Sequence, residues 1–191
     1  MECIDHKDKQ EHKDRSVGYI YGSSESDTPG MWPRQACRAL LKDGDIYRET
    51  WEYLGENPKC HELREALPGE VKATAKKIGM YVRINSEKEL KRFIYKYKLP
   101  VLITGRTSKL IPGVESTGSH AVVAYGWEGE RILYQNSWGV NNYYQPTGKG
   151  SVVWDNVLEA WGIVPYQEQT VWQKIKNKIF YFFDLLINGK E

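Results

Sequence analysis

The sequence predicts an α+β fold in which helical material leads and strands follow. Two observations predict it. Pro33 to Lys42 and Ser86 to Tyr97 carry apolar residues at helical spacing, and from Gly79 onward short alternating or β-rich runs recur between turns. A third observation bounds the size. The chain has 191 residues, 40% hydrophobic and 27% charged, enough to bury a core without staples.

In order along the chain, residues 1–15 are rich in Lys, Asp and His and offer no N-cap before an apolar run, so no element starts cleanly there. Ser16 to Gly22 is a short aromatic run, and Ser23 to Gly30 has loop chemistry. Pro33 suits a first helical position, Ala36, Ala39 and Leu40 follow helical spacing, and Gly44 ends the helix. Gly55 to Pro68 reads as irregular and Glu70 to Ile78 as a short basic helix. Met80 to Ile84 alternates like a strand. Ser86 and Glu89 form a capping box for a helix whose stripe is Leu90, Phe93, Ile94 and Tyr97. Strands are then predicted at Pro100 to Thr104, His120 to Tyr125, Arg131 to Asn136, Gly148 to Trp154 and Gly162 to Pro165, with a tight turn at Glu128 to Glu130. The organisation is a helical lobe over residues 1–78, a β-rich lobe over 79–166 and a tail over 167–191.

Composition excludes several function classes. With 27 basic and 25 acidic residues there is no basic excess for nucleic acid. Three cysteines, Cys3, Cys37 and Cys60, are too few and odd in number for a disulfide framework. They suit a reducing compartment. The charged N-terminus has no apolar signal core, and no run approaches a membrane span. A cytoplasmic location is the expectation.

The chemistry sits in two segments, Gly118 to Gly126 (GSHAVVAYG) and Gln135 to Gly139 (QNSWG). The hairpin between them brings the start of one strand beside the end of the next. His120 and Asn136 therefore lie side by side. A carboxamide that accepts an imidazole N–H fixes the tautomer and ring direction, leaving the other nitrogen to take a proton from a nucleophile. A lone histidine heading an apolar strand is usually a polar edge residue. Here small residues precede it, an apolar strand follows, an Asn closes the hairpin, and Trp138 stands where an indole can shield the Asn–His bond.

Both segments resemble the histidine and asparagine motifs of papain-like cysteine peptidases, whose Cys-His-Asn set is a known variant of the nucleophile–base–orienter triad. Other Cys-His peptidases, such as the double-glycine leader peptidases, also place a histidine at a strand start, but without the Asn-Ser-Trp-Gly run. The similarity extends over about residues 16 to 165. SVGYIYG resembles the stretch after that family's central helix, and Gly30 to Ala36 resembles its cleft-lining glycine segment. The resemblance implies a two-lobed fold with an incomplete helical left lobe and a β-barrel-like right lobe. It implies His120 and Asn136 as catalytic, Trp138 and Ser119 as supporting residues, and Gly30, Met31 and Ala121 as substrate contacts. Peptides or proteins are the implied substrates, with no metal and no cofactor.

The family's nucleophile opens the central helix inside a Gln…Gly-Ser-Cys-Trp-like motif. Only fifteen residues precede Ser16, and none forms that motif. Cys3 lacks the Gln, Gly and aromatic neighbours, and Glu2 and Asp5 oppose a thiolate. Cys37 falls within a helix and reads as core, and Cys60 falls in a loop. The expectation is a chain that does not hydrolyse peptides by itself, either the later part of a longer enzyme or a pseudo-enzyme that binds peptide or serves in assembly. In the tail, Val171, Trp172, Ile175, Ile179, Phe182, Phe183 and Leu186 recur at helical spacing beside Lys174, Lys176 and Lys178. A helix there would pack back on the domain, or make membrane-surface or partner contact through residues 171–187.

Overall fold

The computed structural model describes residues 15–22, 31–51, 57–138 and 143–166. Residues 1–14 with Cys3, the stretch holding Gly30, and the tail 167–191 with its membrane or partner expectation lie outside the described residues.

The first described helix, α1 (Val17–Tyr21), is capped by the Ser16 hydroxyl, which accepts from the Tyr19 N–H at 3.2 Å. Helix α2 (Pro33–Lys42) has the bounds the sequence predicts. Proline pre-sets its first turn, and Gly44 at φ +80° closes it in the left-handed region that favours glycine. Helices α3 (Asn57–Ala66) and α4 (Gly69–Ala73) follow. The stretch expected to be irregular is thus largely helical. Tertiary contacts hold α3: the His61 ring nitrogen Nδ1 lies 3.0 Å from the Gly22 carbonyl, Arg64 pairs with Asp43 at 3.1 Å, and Cys60 is buried. The predicted basic helix is also shorter than expected, because Ile78 already belongs to the first strand.

Strand β1 (Ile78–Arg83) leads to helix α5 (Glu87–Tyr97). The Ser86 hydroxyl accepts from Glu89 N–H at 3.2 Å, while the Glu89 carboxylate accepts from Asn85 N–H, one residue ahead of the cap. Strand β2 (Val101–Arg106), the short helix α6 (Thr107–Leu110), and strands β3 (Ser119–Glu128), β4 (Arg131–Gln135), β5 (Lys149–Val153) and β6 (Glu159–Pro165) complete the order.

The six strands form one antiparallel sheet in the order β1-β6-β2-β3-β4-β5. The α+β class holds, but the right lobe is an open sheet rather than the barrel-like body expected. Instead of β1 curling to meet β5, α5 and α6 cover one face. Leu90, Phe93, Ile94 and Leu110 bury there against Val101, Ile103, Val122, Ala124, Ile132, Tyr134, Val152 and Ala160. Gly162 is bare because a Cβ there would stand 2.5 Å from the Phe93 ring. On the other face Leu40 of α2 packs with Ile78, Tyr81 and Ile163 at the β1–β6 edge. No helix among the described residues is long and apolar enough to cross a membrane.

Candidate functional site

The site begins with register. The hairpin turn at Gly129 (φ +56°) pairs Glu128 with Arg131, Trp127 with Ile132 and Gly126 with Leu133. An unbroken ladder from that turn would set Asn136 opposite Val123. Side chains alternate along a strand, so Asn136 would then share the face of Val123 and Tyr125, away from His120. A bulge at Tyr125 changes this. Beyond it Ala124 pairs with Tyr134 and Val123 with Gln135. Continuing that register places Asn136 across from Val122, on the face of His120, two residues away.

His120 Nε2 and Asn136 Oδ1 lie 2.8 Å apart. An amide oxygen only accepts, so Nε2 carries the proton and Nδ1 is left with its lone pair. His120 is half-buried and sits opposite Gly105 on β2. A Cβ on Gly105 would stand 2.7 Å from the Asn156 carbonyl, so β2 runs bare where it passes the histidine. The entry to β3 is clamped as well: the Thr107 N–H and hydroxyl both donate to the Gly118 carbonyl, at 2.9 and 3.0 Å. The Trp138 ring tilts against the imidazole at 4.9 Å between centroids and is 39% exposed.

Asn136 is 3% exposed, and its Nδ2 donates to Gln145 Oε1 at 2.7 Å. Gln145 Nε2 donates to the Tyr134 hydroxyl at 2.8 Å, and that hydroxyl donates to the Leu110 carbonyl. Gln145 reaches Asn136 because a turn closes beneath it. Gly148, at φ +66°, donates its N–H to the Gln145 carbonyl and accepts from Asn136 N–H at 2.8 Å. Burial raises the Tyr134 phenol above its ordinary range, partly opposed by the Gln145 hydrogen bond and by Arg131. The hydroxyl therefore keeps its proton as a donor.

Sequence reasoning missed Gln145 and Tyr134. The available signal was Gly150, directly opposite Tyr134, since a bare position in a β-strand marks close approach by a neighbour. Of the other predicted site residues, Ser119 is exposed and pairs with Arg106 at the start of β3. Ala121 is exposed on the alternate face from His120. Met31 is half-buried two residues ahead of α2.

Cys37 and Cys60 are not joined in a disulfide and have no exposed surface. Burial, with a smaller contribution from Glu159, pushes the Cys37 thiol from 9.0 to about 11. Folding thus favours the protonated thiol. Its stabilising contribution is present below pH 9 and is lost as pH rises from about 9 to 11. Urea unfolding at pH 8 and pH 11 is expected to show a loss of up to about 2–3 kcal/mol assigned to this group. That increment should be missing in Cys37→Ala, and at pH 8 the native chain should leave Cys37 unmodified by a thiol reagent. Rapid modification of Cys37 in the folded chain would contradict this account.

Among the described residues no cluster of His, Cys, Asp or Glu could hold a metal ion. No family model and no curated protein matches the sequence. Solved structures do match in fold. Xylellain, a cysteine protease from Xylella fastidiosa, aligns with a TM-score of 0.68 at 16% identity, covering 86% of this chain and 75% of that one. The cysteine protease CMS1MS2 of Carica candamarcensis aligns at 0.61 and 18% identity, covering 82% and 80%. Digestive procathepsin L 3 of Tenebrio molitor larval midgut aligns at 0.63 and 15% identity, covering 85% of this chain and 59% of its own.

Proposed function

We propose that this chain, which has the papain-like cysteine protease fold, carries the base-and-orienter half of a cysteine peptidase centre. His120 is the general base and acid, Asn136 holds it, and Trp138 covers their bond. The observation that carries the reading is the 2.8 Å pairing of His120 Nε2 with the Asn136 carboxamide oxygen.

The chemistry follows from which nitrogen is free. Nδ1 takes the proton of a thiol, and the thiolate adds to the carbonyl carbon of a peptide bond. The C–N bond breaks as the imidazolium returns that proton to the leaving amine. The same nitrogen then deprotonates water, which cleaves the thioester and frees the thiol. Nε2 stays protonated throughout, so the Asn136 bond need not break at any step. Peptide or protein is the substrate class, with Gly30 and Met31 as its backbone contacts, Ala121 as a further contact next to the base, and Ser119 supporting the base. The thiols Cys37 and Cys60 fit a reducing, cytoplasmic setting.

Both described thiols are sealed in the interior. That favours a chain which, alone, binds peptide without cleaving it, as a binding or assembly module of the same fold would. The test is to present the full chain with a fluorogenic peptide mixture and an epoxide thiol probe at neutral pH. The expected result is no turnover and no His120-dependent labelling, with peptide-induced NMR shifts at His120 and Trp138. Turnover abolished in His120→Ala, with one labelled cysteine, would overturn the non-cleaving part and support a complete peptidase. Neither binding nor turnover would sink the peptide site itself.

A further inference from the structure

We propose that Gln145 is a positioning residue that sets the tautomer of His120 through Asn136; this rests on the peptidase reading above. An Asn amide can present either its oxygen or its NH2 to a histidine, and only the oxygen leaves Nδ1 basic. Something must choose between the two, and the choice here runs down a buried relay whose far end admits one answer.

The Leu110 carbonyl can only accept. The Tyr134 hydroxyl therefore spends its one proton there and must accept from its other neighbour. That neighbour is Gln145, which turns its NH2 to the tyrosine and its oxygen to Asn136, at 2.8 and 2.7 Å. Asn136, facing an acceptor, turns its NH2 to Gln145 and its own oxygen to His120. Each member is sealed from solvent that could satisfy the flipped arrangement: Tyr134 is 0%, Asn136 3% and Gln145 6% exposed. Reversing any one amide would set two donors or two acceptors face to face in the interior, where an unmade bond is expensive. Gln145 thus acts on the base without touching it.

The readout is the tautomer of His120 itself, which needs no catalytic activity. Two-bond proton–nitrogen correlation spectra of the full, histidine-labelled chain, taken where the ring is neutral, separate Nε2–H from Nδ1–H. The intact chain is expected almost wholly as Nε2–H. Gln145→Met, which fills similar space without polar atoms, should lower the Nε2–H to Nδ1–H ratio about fivefold or more. Gln145→Glu, which keeps an acceptor toward Asn136, should restore it. If Gln145→Met fails to fold, Tyr134→Phe, which removes the anchor and leaves Gln145 in place, carries the same expectation. An unchanged ratio in whichever of these variants folds, alongside a ratio lost in Asn136→Ala, would overturn the role of Gln145 and leave the His–Asn pair standing. A ratio that Asn136→Ala does not change would instead remove the pair, and the parent reading with it.

Discussion

Gly150→Val is expected to destabilise the fold by about 3–5 kcal/mol, even though valine is the better strand former. Gly150 pairs with Tyr134 across β4 and β5. A Cβ at that position would run into the Tyr134 phenol and stand 2.6 Å from Gln145 Nε2. Overpacking a filled interior costs roughly 1–3 kcal/mol. The clash also prises apart the Gln145–Tyr134 bond, and a buried polar group left unpaired adds about 1–3 kcal/mol. The local gain in β-propensity spans at most about 1 kcal/mol and cannot offset that sum. Urea unfolding should show the midpoint falling with an unchanged slope. A midpoint equal to wild type would mean the phenol and the glutamine are not packed over Gly150 as described.

The second large effect is expected from inserting one alanine between Leu133 and Tyr134. At the bulge, Gly126 pairs with Leu133 and Ala124 with Tyr134, and Tyr125 is the extra residue of β3. Val122 and Ala124 are thereby kept on the face of Ile132 and Tyr134. The inserted residue would give Tyr125 a partner and make the ladder regular. Alternation would then put Ile132 on one face and Val122, Ala124 and Tyr134 on the other. Ile132, Ala124 and Tyr134 are 0% and Val122 2% exposed, so either choice brings buried side chains to the surface. That costs about 1.5–3 kcal/mol per large apolar side chain. The insertion should therefore unfold the chain or lower its urea midpoint sharply. Deleting Tyr125 is the control: Gly126 and Ala124 become neighbours with their partners unchanged, so the fold and the Nε2–H signature of His120 should both survive. An insertion variant as stable as wild type, or a deletion variant that unfolds, would contradict the role assigned to the bulge.

Much of the architecture was legible because it rests on local chemistry. Pro33 and Gly44 bracket α2, Ser86 and Glu89 start α5, and alternation in HAVVAY marks β3. Helix α3 was not legible. Its segment NPKCHELREA lacks a clear apolar stripe, and it is held instead by polar contacts to Gly22 and Asp43, which lie far away in sequence. The open edge of the sheet was hidden for a similar reason. Strand patterns state which residues alternate but not whether helices such as α5 and α6 will cover the inner face before the edges can meet.

By itself, the sequence determined the chemical parts of the site: an imidazole heading β3, a carboxamide closing the hairpin, and an indole two residues on. Spacing alone could bring His120 and Asn136 to the same end of the sheet. It could not bring them to the same face, since an unbroken hairpin from Gly129 would have separated them. The tertiary structure decided that through one extra residue at Tyr125. It also decided which way the amide points, through a relay that ends on the Leu110 carbonyl. Face and amide direction are both binary choices with little local preference, so contacts between distant segments had to settle them.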